Sequence, residues 1–304
     1  MKMLTIFTPA YNRAHTIGRT YESLCRQTCK DFEWLVIDDG STDNTKELVA
    51  GWMKENKIPI RYIYQENQGM HGAHNTAYKN IHTELNTCID SDDWMPDDAV
   101  EKIVNTWKKE GNLNLSGLVG LDIGENGSVI GTKFPEGQKT IKVGKFYEQG
   151  GKGDKKLVYR TDIINSVPEY PIFEGERYLG LAYKYLIVEE KYEMLVVDYP
   201  LVVVDYQQDG SSYSMYRQYW NNPKGWMFYR KFEMDHACSY KRKLKLSIHY
   251  IASCIRAKRV WCILDNSQPI LTLILLPVGV AFYYYTKYKV TGNQKMEFNK
   301  KLWK

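Results

Sequence analysis

The sequence predicts an α/β protein: a mostly parallel sheet flanked by helices, with a C-terminal helical appendage that is both basic and apolar. Three observations predict it. Apolar, β-rich runs of about five residues alternate with helical stretches of about 10–15 through the first third of the chain, the pattern of βαβ units. Polar and turn residues gather just after four of those runs, where open parallel sheets bind their ligands. The charge is divided, with 25 Lys and Arg against 32 Asp and Glu in residues 1–223 and 16 against 4 in residues 224–304.

The elements follow in order. Leu4–Thr8 reads as a strand and Ala14–Thr28 as a helix, then Glu33–Ile37 and Asn44–Asn56, Arg61–Gln65 and Met70–His82, Leu85–Ile89 and Asp97–Glu110. LSGLVGLDI is a further strand and leads to Asn126-Gly127, a hairpin signal. GGKGDKK at 150–156 has the wrong spacing for a phosphate-binding GxxxxGK[ST] and reads as a flexible loop. LVYRT is strand-like, Gly180–Glu190 helical, and VVDYPLVVVDY a strand pair or one bent strand near the sheet edge. From Tyr219 the pattern is mostly helical, so a soft boundary falls near residue 215 and divides 1–215 from 216–304. The composition, 43% hydrophobic and 25% charged, excludes disordered and fibrous classes. Six scattered cysteines without zinc-site spacing exclude a disulfide scaffold and favour a reduced, cytoplasmic compartment. The N-terminus is strand-like and too short for a signal peptide.

The four strand ends read TPAYNR, DDGSTDNT, ENQGMHG and DSDDW. No GxGxxG follows the first strand, which removes the dinucleotide fingerprint. Asp90, Asp92 and Asp93 place three carboxylates within four residues. Their mutual repulsion is most easily relieved by a hard cation, Mg²⁺ or Mn²⁺, bound through one or two of them and a substrate phosphate. Helix capping explains Asp97 and Asp98, but not the three acids before Trp94. Asp38 can accept a hydrogen bond from a base N–H, while Thr42 or Asp43 caps the next helix. Tyr11 can stack on a nucleobase and Arg13 can meet a phosphate. Gly69, His71 and Asn75 open a helix whose backbone N–H groups can receive an anion; a plain capped turn explains them equally well.

These segments together resemble glycosyltransferase family 2, inverting sugar-nucleotide enzymes of GT-A fold. The likeness runs through residues 3–110, above all in VIDDGSTDNT followed by IDSDDW, and continues more loosely in RTDII, FEGERY and VDYQQDGSSYS. It implies a GT-A type, Rossmann-like sheet, with 1–110 as the nucleotide-sugar half of a catalytic domain and 111–215 as its acceptor half. It implies that Pro9, Tyr11, Arg13, Asp38, Asp39, Gly69, Asn75 and Asp90 line the nucleotide-sugar site and that Asp92, with Asp93 as a second candidate, holds the divalent ion. It implies a carboxylate base on the acceptor side: Glu176 of FEGERY, with Glu174 in reserve. Many members carry Glu-Asp there; this chain has Glu176-Arg177. The expected reaction is transfer of a sugar from a nucleotide-diphosphate sugar, a UDP-sugar first, to a cell-surface glycan or lipid-linked acceptor. The rival readings are a non-catalytic binder and a nucleotidyltransferase.

The tail carries the remaining expectation. Residues 266–286 hold no charge, basic stretches flank them, and Tyr283–Tyr285 suit a membrane interface. They read as an interfacial or re-entrant segment, a single span, or a buried helix. Basic residues on both sides favour the first, on an anionic membrane at the cytosolic face, with no nucleic-acid partner.

Overall fold

The computed structural model describes residues 2–205 and 215–302, with side chains placed as far as residue 291. Most of VDYQQDGSSYS lies outside the described residues. The chain forms two compact units, Met1–Tyr170 with Lys184–Gln207 and Pro171–Tyr183 with Gln208–Lys304.

The elements up to the last strand are β1 (Leu4–Ala10), α1 (Ile17–Arg26), β2 (Phe32–Asp38), α2 (Thr45–Glu55), β3 (Ile60–Tyr64), α3 (Met70–Asn80), β4 (Leu85–Cys88) and α4 (Ala99–Glu110), then β5 (Leu115–Gly124), β6 (Thr140–Ile141), α5 (Val143–Glu148), β7 (Lys155–Arg160), α6 (Thr161–Ser166), α7 (Ala182–Val188) and β8 (Glu193–Val204). The eight strands form one sheet in the order β3-β2-β1-β4-β7-β5-β8-β6. β1 pairs in parallel with β2 and β4, β2 with β3, and β5 with β8. β7 runs antiparallel to both β4 and β5, and β6 antiparallel to β8. The parallel character thus belongs to the first four strands and the β5–β8 pair. The bent strand expected from VVDYPLVVVDY is β8, whose pairing with β5 slips in register on either side of Leu121.

The first strands are near-continuous apolar runs because both sheet faces are covered. Leu4, Ile6, Trp34 and Val36 are buried under Ile17, Leu24, Val100 and Ile103 of α1 and α4, and the buried Phe7 packs instead on His74 and Tyr78 of α3. Burying each such side chain is worth about 1.5–3 kcal/mol. Helix α4 begins without a side-chain cap of its own. Its Val100 N–H donates instead to Gln27 Oε1 at 3.0 Å, and Asp98 accepts from the Tyr199 hydroxyl at 2.9 Å. Capping by Asp97 or Asp98 is therefore replaced by the side chain of Gln27, the residue just after α1. Gly117 holds β5 tight against β7: its φ is +144°, and a Cβ there would lie 1.9 Å from the Val158 carbonyl oxygen.

The 150–156 segment departs from its expectation. Lys155 and Lys156 begin β7 and pair with Leu121 and Gly120, so only residues 150–154 of the segment form loop. The Asn126-Gly127 turn does form, with Gly127 at φ +76° and Ile123 bridging Val129, but the returning chain makes only that bridge.

The second unit contains α8 (Met215–Asn221), α9 (Pro223–His236), α10 (Tyr240–Arg256), a 3-10 turn (Val260–Leu264), α11 (Pro269–Ile274) and α12 (Leu276–Leu302). Its core is Met234, Leu246, Tyr250, Ile251, Cys254 and Ile263. Helix α12 crosses α10 at Gly279, where a Cβ would stand 2.6 Å from the Ile251 Cβ. Among the described residues no helix is long and apolar enough to cross a membrane. Within residues 266–286, α11 begins at Pro269 and α12 at Leu276, the break falling beside Pro277, which has no N–H to continue the ladder.

Candidate active site

The register of the sheet aligns Ala10 with Asp38 and Phe7 with Cys88. The loops after β1, β2 and β4 therefore leave the same edge, and those after β1 and β2 are stitched together. Asn12, at φ +54°, donates its N–H to Ser41 Oγ at 2.9 Å and accepts from Thr42 N–H at 2.8 Å. Arg13 N–H donates to Thr45 Oγ1, and Ala14 N–H to Asp43 Oδ2. Burial works to raise the Asp43 carboxyl, but hydrogen bonds from Thr45 and Ala14 outweigh it and hold the group below its ordinary range. This frame presents Tyr11 with half of its surface exposed, at 50%. Pro9 lies part-buried in the β1–β2 ladder, opposite Ile37.

Asp38 and Asp39 are both buried at the end of β2. Asp38 accepts from Ser41 N–H at 2.8 Å and from the Tyr62 hydroxyl at 2.5 Å. Burial, and then Asp38 itself, push the Tyr62 phenol up. Asp39 accepts from Gln65 Nε2 at 2.7 Å and from the N–H groups of Gln68 and Gly69, each at 2.8 Å. The N–H donors expected to receive an anion just before α3 thus hold an anion of the protein's own. Asn75 forms a two-way clamp: Tyr170 N–H donates to its Oδ1 at 2.9 Å, and its Nδ2 donates to Tyr170 O at 2.8 Å.

At the end of β4, Asp90 and Asp92 are half-buried and Asp93 is buried. Asp93 accepts from Asp205 N–H at 3.1 Å, and its carbonyl takes the Thr20 hydroxyl at 2.7 Å. Burial, and then Asp90, push its carboxyl up to about 8, against the pull of Lys156. Trp94 pairs by its backbone with Val203, and its ring carries the Arg19 guanidinium 4.0 Å from the centroid.

Two members of this cluster escaped sequence reasoning. Lys156 donates to the Cys88 carbonyl at 2.9 Å. Burial disfavours its charge, but Asp122, Asp90 and Asp93 outweigh that and raise the ammonium. Asp122, on β5, is buried with Oδ1 lacking a hydrogen-bond partner in the structure, and burial pushes its carboxyl up to about 6 despite Lys156. A lone Asp inside the apolar run GLVGLDI was the available signal, since a buried carboxylate requires a partner.

The donor chemistry suits a divalent ion only in part. Among the described residues no three His, Cys, Asp or Glu side chains converge as a ready-made metal cage. Asp90 and Asp92 supply hard carboxylate oxygens at the sheet edge, matching Mg²⁺ or Mn²⁺ bound with substrate phosphates. Asp93 turns inward to Asp205 N–H.

Glu176 lies in the second unit. It is buried, and its two oxygens accept from Lys224 N–H at 2.9 Å and Gly225 N–H at 2.7 Å, at the start of α9. Those N–H groups have no partner within the helix, so Glu176 caps α9 from a distance. Phe173 and Tyr178 pack on Phe228 and Trp226. Glu174 is exposed.

The family described as Glycosyl transferase family 2 matches residues 5–165. An Escherichia coli relative, named UDP-Glc:alpha-D-GlcNAc-diphosphoundecaprenol beta-1,3-glucosyltransferase WfgD, is 30% identical over 58% of this chain and 67% of its own length. Four other curated relatives are far longer, and the match spans only 14% to 21% of their length. Staphylococcus aureus TarS in complex with UDP-GlcNAc shares the fold with a TM-score of 0.59 at 18% identity, over 92% of this chain and 81% of that one. The mannosyltransferase PcManGT of Pyrobaculum calidifontis, in complex with GDP-Man and Mn²⁺, does so with 0.54 at 15%, over 95% and 83%. With the strand-end acids in place and the family match covering more than half of the chain, the protein belongs to glycosyltransferase family 2.

Proposed function

We propose that this glycosyltransferase moves a single sugar from a UDP-sugar to a hydroxyl of a glycan or lipid-linked acceptor, with inversion, at the cytosolic face of a membrane. The observation that carries the donor half is one sheet edge that gathers the exposed Tyr11 ring, the buried Asp38 carboxylate and the half-buried Asp90–Asp92 pair from three aligned strands. TarS in complex with UDP-GlcNAc and PcManGT in complex with GDP-Man and Mn²⁺ support a nucleotide-sugar donor, and the name of the E. coli relative supports a lipid-linked acceptor.

In this reading Tyr11 stacks on the base, Asp38 accepts its N–H, and Pro9, Arg13, Asp39, Gly69 and Asn75 shape or brace the pocket. A divalent cation, Mn²⁺ or Mg²⁺, held by Asp92 with Asp90 or Asp93, would offset the charge that develops on the departing diphosphate. The acceptor oxygen bonds to the anomeric carbon as the carbon–oxygen bond to the diphosphate breaks on the opposite face. The hydroxyl proton passes to a carboxylate, and UDP leaves with the electron pair. Glu176 is the proposed base. Two of its lone-pair sites are taken by α9, and a carboxylate has about four.

UDP release from a panel of UDP-sugars, with and without Mn²⁺, tests the reading. Asp92→Ala should lose about two orders of magnitude or more. A folded Asp92→Ala protein releasing UDP at the wild-type rate would remove the metal role. Wild-type protein that binds UDP-sugars but turns none over, with any acceptor tried, would leave a binder.

A further inference from the structure

We propose that the groove between α10 and α12, together with the apolar stripe that continues from it along α11, is a docking surface for an anionic lipid bilayer. This rests on the reading that the enzyme works at a membrane, and it names the surface that does so.

The groove has a volume of about 620 Å³. Leu244, Ile248, Val278, Ala281 and Phe282 make its walls apolar, and Lys241 and Lys245 stand one turn apart along its α10 side. That pairing of an apolar slot with two ammonium groups suits an acyl chain below a phosphate headgroup. Gly279 allows α12 to meet α10 closely, and Val278 and Ala281 on either side of it remain exposed.

The stripe is a separate observation. Ile270, Leu273, Ile274, Val278 and Tyr285 are exposed at 74%, 57%, 69%, 48% and 45%. Ile270, Ile274 and Val278 follow one another at four-residue steps, and the exposed Ala281 with the half-buried Phe282 carries the row on to Tyr285; Leu275 N–H to Leu271 O and Gly279 N–H to Leu275 O carry the helical ladder across the break. One helical face of about 25 Å is thus apolar and open to solvent. Trp261, on the 3-10 turn before it, is 74% exposed. Such a continuous apolar face is unusual on a water-exposed surface and marks an interaction site.

Charge decides the occupant. Residues 224–304 carry 16 Lys and Arg against 4 acids. Asp265, which ends the 3-10 turn before α11, is paired with Lys231 at 2.8 Å. A second copy docking through the same face would bring two strongly basic tails together, at an electrostatic cost. An anionic leaflet gains from the same lysines, and a helix lying in its plane needs no spanning length.

The test is flotation of the full chain with vesicles of phosphatidylcholine alone or with about one third phosphatidylglycerol. Wild type should float with the anionic vesicles at least about tenfold more than with neutral ones, and less in high salt. Lys241→Glu with Lys245→Glu should lose the preference for anionic vesicles. Ile270→Asp with Ile274→Asp should lose flotation altogether. Ala281→Trp, which fills the groove without adding charge, is the second route if either pair unfolds. Melting temperature and its rise with UDP are measured for each variant. A protein that binds UDP yet does not float overturns the docking surface and spares the enzymatic reading; flotation without UDP binding does the reverse. Folded variants that float like wild type, or a concentration-dependent dimer abolished by Ile270→Asp with Ile274→Asp, also overturn the docking surface.

Discussion

Asp122→Asn probes the charge balance behind the acid cluster. Asp122 is buried, and burial raises its carboxyl to about 6 from an ordinary 3.8. The shift of roughly two units corresponds to about 3 kcal/mol. For an acid whose folded value is raised, the native state holds the proton more tightly than the unfolded chain does. Its favourable contribution is therefore complete below about pH 4 and is lost as the pH rises through about 6. Wild type should lose stability across that window, and Asn, which cannot ionise, should not. The expected outcome is that the Asn variant gains about 3 kcal/mol relative to wild type between pH 4 and pH 8. Any constant penalty from the altered contact with Lys156 appears equally at both ends. Urea denaturation at half-unit pH steps, with equal m-values, measures it. The other carboxylates titrate in both proteins and cancel to first order. Parallel stability curves for the two proteins would refute the reasoning, because they would mean that Asp122 is not desolvated.

Three other substitutions probe separate links. Asp39→Ala leaves the N–H groups of Gln68 and Gly69 without their carboxylate; at about 1–3 kcal/mol per unsatisfied group, the unfolding free energy obtained from urea denaturation should fall by about 3 kcal/mol in total, and donor affinity with it. Gly279→Ala places a methyl group against Ile251, and should cost about 1–3 kcal/mol through overpacking despite the better helix propensity of alanine, read as a lower melting temperature. Glu176→Gln separates cap from base: a lost α9 cap should cost about 1–2 kcal/mol and leave turnover at low temperature intact, whereas a lost base should drop turnover about a hundredfold or more in the folded protein, with Glu174→Gln as the control.

The first 110 residues were legible because their periodicity is strong and local. β1 to β4 and α1 to α4 lie within about three residues of their expected ends, and the polar strand ends do share one edge. What escaped was set by distant partners. Lys156 looked like part of a glycine-rich loop because its ladder partner, Gly120, lies 36 residues earlier, beyond the reach of any pattern of spacing. Asn75 gave no sign of clamping Tyr170, 95 residues away. Asp97 and Asp98 carried the capping residue types, yet Gln27 performs that task for Val100. α5 and α6, at six residues each, and the two-residue β6 were too short to show a period. Residues 171–183 group with the tail, which no composition shift announced.

The carboxylate of Asp39 resting on Gln68 and Gly69 has a consequence for inhibition. That mouth of α3 is already neutralised from within, so it repels rather than recruits a second negative group. Positive potential for a donor then comes from elsewhere, with Lys156, Arg13 and whatever cation the substrate brings among its sources, so free orthophosphate competes with the donor there and not at α3. Inhibition by orthophosphate should accordingly be competitive with the donor and follow a one-site curve; a two-site curve would show that the mouth of α3 stays open to outside anions.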